Sequence, residues 1–394
     1  MTNNNDKKVL NVPHLRFPEF SGEWKKCIIQ DYGEVITGNT PPTNNAEYYN
    51  NGSYLWASPA DLGTGKKIND TKTKLSESGF KKTRIIPKGS ILVTCIGSTI
   101  GKMGMAVETM SSNQQINSII VNEKSNNDFV YYAISRAFPR YLSEVGVQAV
   151  PILSKSNFEK LPNYTTSIEE QDKIGYFLNL LDERIATQNK IIEDLKKLKS
   201  AIIEMEYTHK TKGNTHIGDF IEQTSKRNKD SAIQNVLSVS NSQGFIQQCE
   251  QFENRSVASD DISNYKIVER NCFAFNPARI NVGSIARLTT FNRGIVSPMY
   301  ICFRTKDNLF PEYLDYYFES KQFFTEIQKR LEGSVRQCLS YEGLCNIPLC
   351  IPTVEVQQQT GKRLSTLVQE IKLEIDFLEL LQKQKKFLLH QMFI

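Results

Sequence analysis

Residues 161–207, LPNYTTSIEEQDKIGYFLNLLDERIATQNKIIEDLKKLKSAIIEMEY, and residues 347–393, IPLCIPTVEVQQQTGKRLSTLVQEIKLEIDFLELLQKQKKFLLHQMF, align without a gap when the chain is slid by 186 positions. Eleven of the 47 pairs are identical, among them Pro162 with Pro348, Gln171 with Gln357, Gly175 with Gly361 and Lys199 with Lys385. In each copy an extended, Pro-containing stretch gives way to a helix start, with Ser167 or Thr353 placed as the cap two residues before a shared glutamate. Apolar residues then step by four and three. They are Ile174, Leu178, Leu181, Ile185, Ile192, Leu195 and Ile202 in the first copy, and Leu364, Leu367, Ile371, Leu378, Leu381 and Leu388 in the second. A period of ~3.5 residues sustained over several heptads predicts a coiled-coil seam. Its polar members fall at matching places, Gln188 with Glu374 and Lys199 with Lys385, where a polar seam residue fixes register at some cost in stability.

The repeat period is close to half the chain, so the expected order is block, helix, block, helix. The boundaries are 1–160 for a first globular domain, 161–208 for a first spacer helix, 209–346 for a second domain and 347–394 for a second helix. A polar linker at 209–215, with Gly213 as breaker, opens the second half. Pairing of the helices is simplest if antiparallel, which gives a pseudo-two-fold α+β molecule whose helices, at ~1.5 Å per residue, each run roughly 58 Å. Outside the seam, Leu180, Ile191, Leu198, Phe377, Leu380 and Phe387 suit either helices of a partner or a wider intramolecular seam.

The blocks also match each other in order. Asp31-Tyr32 recurs as Asp219-Phe220, residues 55–63 (LWASPADLG) parallel 236–244 (VLSVSNSQG), and Gly101 falls with Gly283. Residues 129–132 (FVYY) resemble 313–317 (YLDYY). Short runs of Val, Ile, Tyr and Phe between Gly, Asn and Ser turns read as strands, followed in each block by helices around 128–141 and 312–330.

Charge is distributed unevenly over this shared frame. The chain of 394 residues carries 48 Lys and Arg against 43 Asp and Glu, a formal +5, which permits a polyanionic partner without demanding one. The stretch 61–88 alone holds Lys66, Lys67, Lys72, Lys74, Lys81, Lys82, Arg84 and Lys88 against Asp61, Asp70 and Glu77. The second block instead offers Lys226, Arg227 and Lys229 near its start, and Arg279, Arg287, Arg293 and Arg304 in a stretch without acidic residues. Lysines neutralise phosphates at any sequence, whereas Arg, Asn and Gln can read base edges. The DNA-contact candidates are therefore Lys66, Lys67, Lys72, Lys74, Lys81, Lys82, Arg84, Lys102, Asn113, Gln114 and Gln115 in the first block, and Lys226, Arg227, Lys229, Asn276, Arg279, Asn281, Arg287 and Arg293 in the second. Each taken singly is better read as a solvated surface side chain, and it is the arrangement that points to DNA.

Catalytic signatures are lacking. The run 97–103 (GSTIGKM) fails the phosphate-loop pattern in spacing and in the residue after lysine. Asn276-Pro277-Ala278-Arg279 lacks the second proline and the aromatic residue of an amino-methyltransferase signature. Eight cysteines form no C-x-x-C pair and read as mostly buried, reduced thiols, and four scattered histidines supply no metal-ligand spacing. No apolar run approaches the ~20 residues of a membrane span and residues 1–8 open no signal core, so the expected compartment is the cytoplasm.

The opening run 12–24 (VPHLRFPEFSGEW), the run 89–101 (GSILVTCIGSTIG) and the twice-used Pro…Glu-x-Gln boundary before a long helix together resemble the specificity subunits of type I restriction-modification systems. That resemblance implies two target recognition domains separated by helical spacers, each domain reading one half of a bipartite double-stranded DNA target. It further implies assembly with two methyltransferase subunits and with restriction subunits that translocate and cut. S-adenosylmethionine, ATP and magnesium would then belong to those partners, leaving this chain without catalytic residues, metal or cofactor of its own. The second boundary reads Glu355-Val356-Gln357 where the first has Glu169-Glu170-Gln171, so Glu170 has no counterpart. Two other readings stay open on the residues alone: a two-headed coiled-coil protein adaptor, and a nuclease with an unrecognised site.

Overall fold

The computed structural model describes residues 10–145, 152–207, 215–241, 243–248, 261–333 and 337–394. Residues 209–214 of the expected linker, and Cys249, lie outside that set. The chain forms two compact units, Met1–Asn189 with Phe377–Ile394, and Lys190–Asp376, so the division falls inside both long helices.

The first unit is built on five strands: Gly33–Thr37 (β1), Lys67–Ile68 (β2), Ile91–Thr94 (β3), Met103–Ala106 (β4) and Ile116–Val121 (β5). They lie in the order β1-β5-β3-β4-β2, antiparallel except for the short parallel pair β2–β4. The central strand β3 is buried on both faces, and alternation along it separates two cores. Ile91 and Val93 join Phe129, Tyr132 and Phe138 of helix Asn127–Val145 (α1), while Leu92 joins Leu55, Ala57, Ile68 and Ile116.

The second unit repeats this frame with Ile221–Thr224 (β6), Phe273–Phe275 (β7), Ile285–Arg287 (β8) and Ile301–Thr305 (β9), in the order β6-β9-β7-β8. The same alternation sends Phe273 and Phe275 toward Tyr313 and Leu314 of helix Pro311–Tyr317, and Ala274 to the opposite core with Leu237 and Val239. Gly101 and Gly283 occupy the turn between equivalent strands at φ 89° and 90°, a conformation that a β-carbon disfavours. That shared turn explains why the two glycines match in sequence.

The repeated helices are Ile168–Tyr207 (α2) and Val354–Met392; numbered in chain order, Pro311–Tyr317 is α3 and Val354–Met392 is α4. Ser167 and Thr353 both accept the first helical bonds through their carbonyls, from Gln171 and Gln357. The identical glutamines then do identical work. Gln171 Oε1 accepts from Asn126 N at 3.0 Å while its Nε2 donates to Thr166 O at 2.9 Å; Gln357 Oε1 accepts from Phe310 N at 2.7 Å while its Nε2 donates to Pro352 O at 2.9 Å. Each thus ties a helix start to the segment entering the globular helix of its own unit.

Seam positions carry the burial. Ile174, Leu178, Ile192, Leu364, Ile371, Leu381 and Leu388 are buried, and Leu181, Ile185, Leu195, Ile202, Leu367 and Leu378 are half-buried. In the first unit Asp182 pairs with Lys385 and Arg184 lies 5.4 Å over the Phe377 ring, so α2 and α4 run antiparallel there. In the second, Arg363 Nη1 donates to Glu206 at 3.4 Å, joining the end of α2 to the first turns of α4. Leu180, Ile191, Leu198, Leu380 and Phe387 are exposed, which removes the wider-seam reading for these five; Phe377 is half-buried beneath Arg184.

Cys95 and Cys302 are buried, and burial pushes both thiols up to about 12. Contrary to the expectation of mostly buried thiols, Cys27, Cys272, Cys338, Cys345 and Cys350 are only half-buried: Cys27 lies in a two-stranded ribbon, Cys345 ends a short helix, and the other three lie outside the main sheets. No disulfide joins the described cysteines.

Glu170 is the one charged residue of the first boundary that the core encloses, at 1% exposure. Arg16 grips it with two bonds of 2.7 Å, and Thr166 donates to it as well. Burial raises the Glu170 carboxyl, but these hydrogen bonds outweigh it and hold the group below its ordinary range. A carboxyl depressed in the folded state contributes stability above its unfolded value, and that contribution disappears as pH falls through the folded value. Glu170→Gln should therefore lower the melting temperature at pH 6 to 7 and bring less loss than wild type between pH 5 and 3, measured by thermal unfolding. An identical acid limb in both proteins would show that the Arg16 pair does not control it.

Candidate nucleic-acid interface

One polar edge of the first unit is assembled by close backbone approach. Gly38 follows β1 and packs so tightly on the next segment that a β-carbon there would stand 2.3 Å from the carbonyl oxygens of Ser112 and Asn113. The contact lets Asn39 N donate to Ser112 O while Asn39 Nδ2 donates to Lys82 O and its Oδ1 accepts from Arg84 N. Thr40 donates to Gln114, and Arg84 Nη1 reaches Thr37 O at 2.6 Å. Three segments far apart in sequence, 37–40, 82–84 and 113–115, thus converge. Gln114, Lys82 and Arg84 project from the edge, exposed, whereas Asn113 is buried and holds Gln115 through both amide atoms.

The remaining lysines of the first block spread over other parts of the unit. Lys67, Lys72, Lys74, Lys81 and Lys102 are exposed. Lys74 and Lys81 carry local partners, Asp70 and Glu77, and Lys67 lies 3.5 Å from Glu183 on α2. Such exposed pairs contribute little to stability and are available to exchange for phosphates.

In the second unit Lys226, Arg227, Lys229 and Arg293 are exposed and, with Ile233 and Ile267, line one concavity. Arg227 Nη1 donates to Asn264, which leaves the rest of its guanidinium outward. Asn276 and Arg279 line a second concavity with Tyr265, Ser284 and Tyr300. Asn276 is buried, its Oδ1 accepting from Ala278 N at 3.1 Å; Arg279 is exposed, and Asn281 is half-buried in the turn before Gly283.

Two sequence-derived contacts are placed elsewhere by the structure. Lys66 is 8% exposed and its three ammonium protons are all taken, by Asp128 Oδ1 at 2.5 Å, Asn179 Oδ1 at 3.0 Å and Tyr132 Oη at 3.2 Å. Arg287 is likewise consumed, donating to Asp315 at 3.0 Å, Asn271 at 3.1 Å and Glu312 at 3.2 Å. Both cations are held by acidic side chains of the following globular helix, so neither presents its charge to a ligand. Asn39, Thr40 and Asn264 were not singled out from sequence; the only signal for the first pair was Gly38 beside them, and Asn264 had none.

Among the described residues no group of three or more His, Cys, Asp or Glu could hold a metal ion, and no helix is long and apolar enough to cross a membrane.

Residues 21–197 match the family model described as type I restriction modification DNA specificity domain. The chain is 29% identical over 185 residues to the type I restriction enzyme HindI specificity subunit of Haemophilus influenzae, a match covering 44% of this chain and 39% of that protein. It is 28% identical over 192 residues to the EcoR124I/EcoR124II specificity subunit of Escherichia coli, covering 46% of each. The chain thus spans under half the length of these two relatives. The MjaVIII specificity subunit of Methanocaldococcus jannaschii aligns over 94% of this chain and 92% of its own length at 23% identity. In fold, the chain resembles the S subunit of a type I restriction-modification system from M. genitalium, with a TM-score of 0.62 at 16% identity, covering 97% and 99% of the two chains. A second solved structure, from work on assembly of the type I system, aligns with a TM-score of 0.55 at 13% identity over 93% and 96%.

Proposed function

We propose that this chain, a member of the specificity-subunit family of type I restriction-modification systems, reads double-stranded DNA as a non-catalytic subunit, each unit taking one half of a bipartite, gapped target. The observation that carries the reading is the duplication of one frame with unlike polar edges. The order β1-β5-β3-β4 recurs as β6-β9-β7-β8, yet the first unit presents Gln114, Lys82 and Arg84 on one edge, while the second presents Lys226, Arg227, Lys229 and Arg293 around one concavity and Arg279 at another. A conserved frame with divergent heads suits recognition of an asymmetric sequence, with phosphate contacts positioning and Arg or Gln specifying. An adaptor that only joins proteins has no use for basic edges of this kind, and that reading is not favoured.

The exposed apolar side chains Leu180, Leu380 and Phe387 on the helices of the first unit, and Ile191 and Leu198 on those of the second, are the positions at which two methyltransferase subunits would dock, with restriction subunits recruited to that assembly. S-adenosylmethionine, ATP and magnesium would be bound by those partners, in the cytoplasm. The test is methylation mapping in cells that carry this chain with its methyltransferase partner. A gapped two-part adenine target is expected, and exchange of the first globular block should alter one part only. A continuous motif, or a change in both parts, would overturn the proposal.

A further inference from the structure

The seam lysines, Lys199 and Lys385, were matched by the repeat, and the structure gives them matching work. In the first unit Lys385 of α4 pairs with Asp182 and lies 5.7 Å from the ring centre of Tyr132 on α1. In the second, Lys199 of α2 pairs with Glu319 at 2.6 Å and lies 5.6 Å from the ring centre of Tyr316 on α3. Each seam cation therefore reaches past its own helix to an aromatic residue of the globular helix. A second cation binds that same helix from the globular block. Lys66, in the loop entering β2, bonds Asp128 and Tyr132 of α1 and Asn179 of α2. Arg287, at the end of β8, bonds Glu312 and Asp315 of α3, and Glu312 in turn accepts from Ser365 of α4 at 2.7 Å. Tyr132 completes the first set by donating to Asp182 at 2.6 Å.

We infer that each globular block is fixed on the helices of its own unit by a two-cation lock, Lys66 with Lys385 in the first and Arg287 with Lys199 in the second, and that these four residues position the reading edges instead of touching DNA. Apolar packing alone is tolerant of small rotations. Directional bonds around a buried or half-buried cation are not, because breaking one leaves a poorly solvated charge without its partner; Lys66 is buried and Lys385, Lys199 and Arg287 are half-buried, with only Glu319, opposite Lys199, exposed among their acidic partners. The lock thereby selects one seat for a block that hydrophobic contact would hold in several. Lys66 supports this directly: burial lowers its pKa, against the opposing influence of Asp128, so the fold accepts a desolvated ammonium to keep the loop at 63–68 in place.

This inference rests on the DNA-reading proposal for its functional consequence, but its structural part is measurable without DNA. The variant to use is Lys66→Met with Asp128→Leu in the full chain, since removing both partners leaves no orphan charge and spares the fold. Amide exchange across residues 63–68 should rise by about tenfold or more as the local opening becomes easier. With the methyltransferase partner bound, methylation of targets whose gap is changed by one or two base pairs should rise relative to the natural gap. A displacement of ~1 Å can cost about a hundredfold, so a loosened seat should reduce gap discrimination by roughly tenfold. Lys66→Met alone should leave the salt dependence of duplex binding unchanged. Unchanged exchange with undiminished gap discrimination in the double variant would overturn the lock, as would a fall of about 0.9 in the salt slope on Lys66→Met, the signature of a lost phosphate contact. A wild-type complex that methylates no gapped target would instead indict the DNA reading, and the exchange result would still decide the lock.

Discussion

Replacing Lys226, Arg227, Lys229 and Arg293 together with glutamine should make duplex binding by the full-length protein weaker and much less sensitive to salt. Each phosphate neutralised in B-DNA contributes about 0.9 to the slope of log affinity against log salt, so four contacts correspond to a slope shallower by roughly three to four. All four are exposed around one concavity, and only Arg227 has a described side-chain partner, the neutral Asn264, so their charge is available to a polyanion. At ~0.15 M salt the affinity should fall by roughly one to two orders of magnitude. The fold should be indifferent, since substitution of exposed charges changes stability by about 0.5 kcal/mol or less. Glutamine in place of Lys66 provides the contrast: fewer formal charges removed, a larger fall in melting temperature, and no change in slope. Titration of a fluorescent duplex at four salt concentrations decides between them, and a slope unchanged in the fourfold variant would remove this concavity from the interface.

That contrast also marks where the sequence is legible and where it is not. Lys66 and Lys72 look alike in the primary structure, two lysines in one Gly- and Thr-rich loop. Their difference is made by Asp128, Tyr132 and Asn179, residues distant in sequence that only the packing of α1 and α2 against the sheet brings to Lys66. Arg287 is the same lesson in the second unit, since its acidic partners arrive with α3. Charge counted along a chain cannot tell a spent cation from an available one. The duplication, by contrast, is written in local rules: a 3.5-residue step for the helices, a short, wholly buried apolar run for β3 and β7, a positive φ at Gly101 and Gly283. Gln171 and Gln357 show the intermediate case, where identity across the repeat flags a shared job that only the structure identifies as a tie between helix start and globular block.

Lengthening both long helices by one heptad should lengthen the gap in the recognised DNA. The insertions belong where the compact units divide, after Asn189 in α2 and after Asp376 in α4, so that each unit keeps its own core and lock. Seven residues preserve the alternation of four and three along the seam, whereas an insertion of five would turn the apolar stripe out of register and break the pair. Both helices must change together, because in an antiparallel pair one lengthened strand alone would loop out or shift every contact beyond it. A heptad adds about 10.5 Å of helix at ~1.5 Å per residue. With B-DNA rising ~3.4 Å per base pair, that is roughly three base pairs of added gap. Those three base pairs also turn the second half-site by roughly 100°, given ~10.5 base pairs per turn, so the natural target should be methylated far less rather than slightly less. Mapping methylated sites for wild type and the extended chain in the same cells separates the outcomes. Two unchanged half-sites with a longer gap would assign spacing to the helix pair; the original gap retained, with activity intact, would show that something other than helix length sets the distance between half-sites.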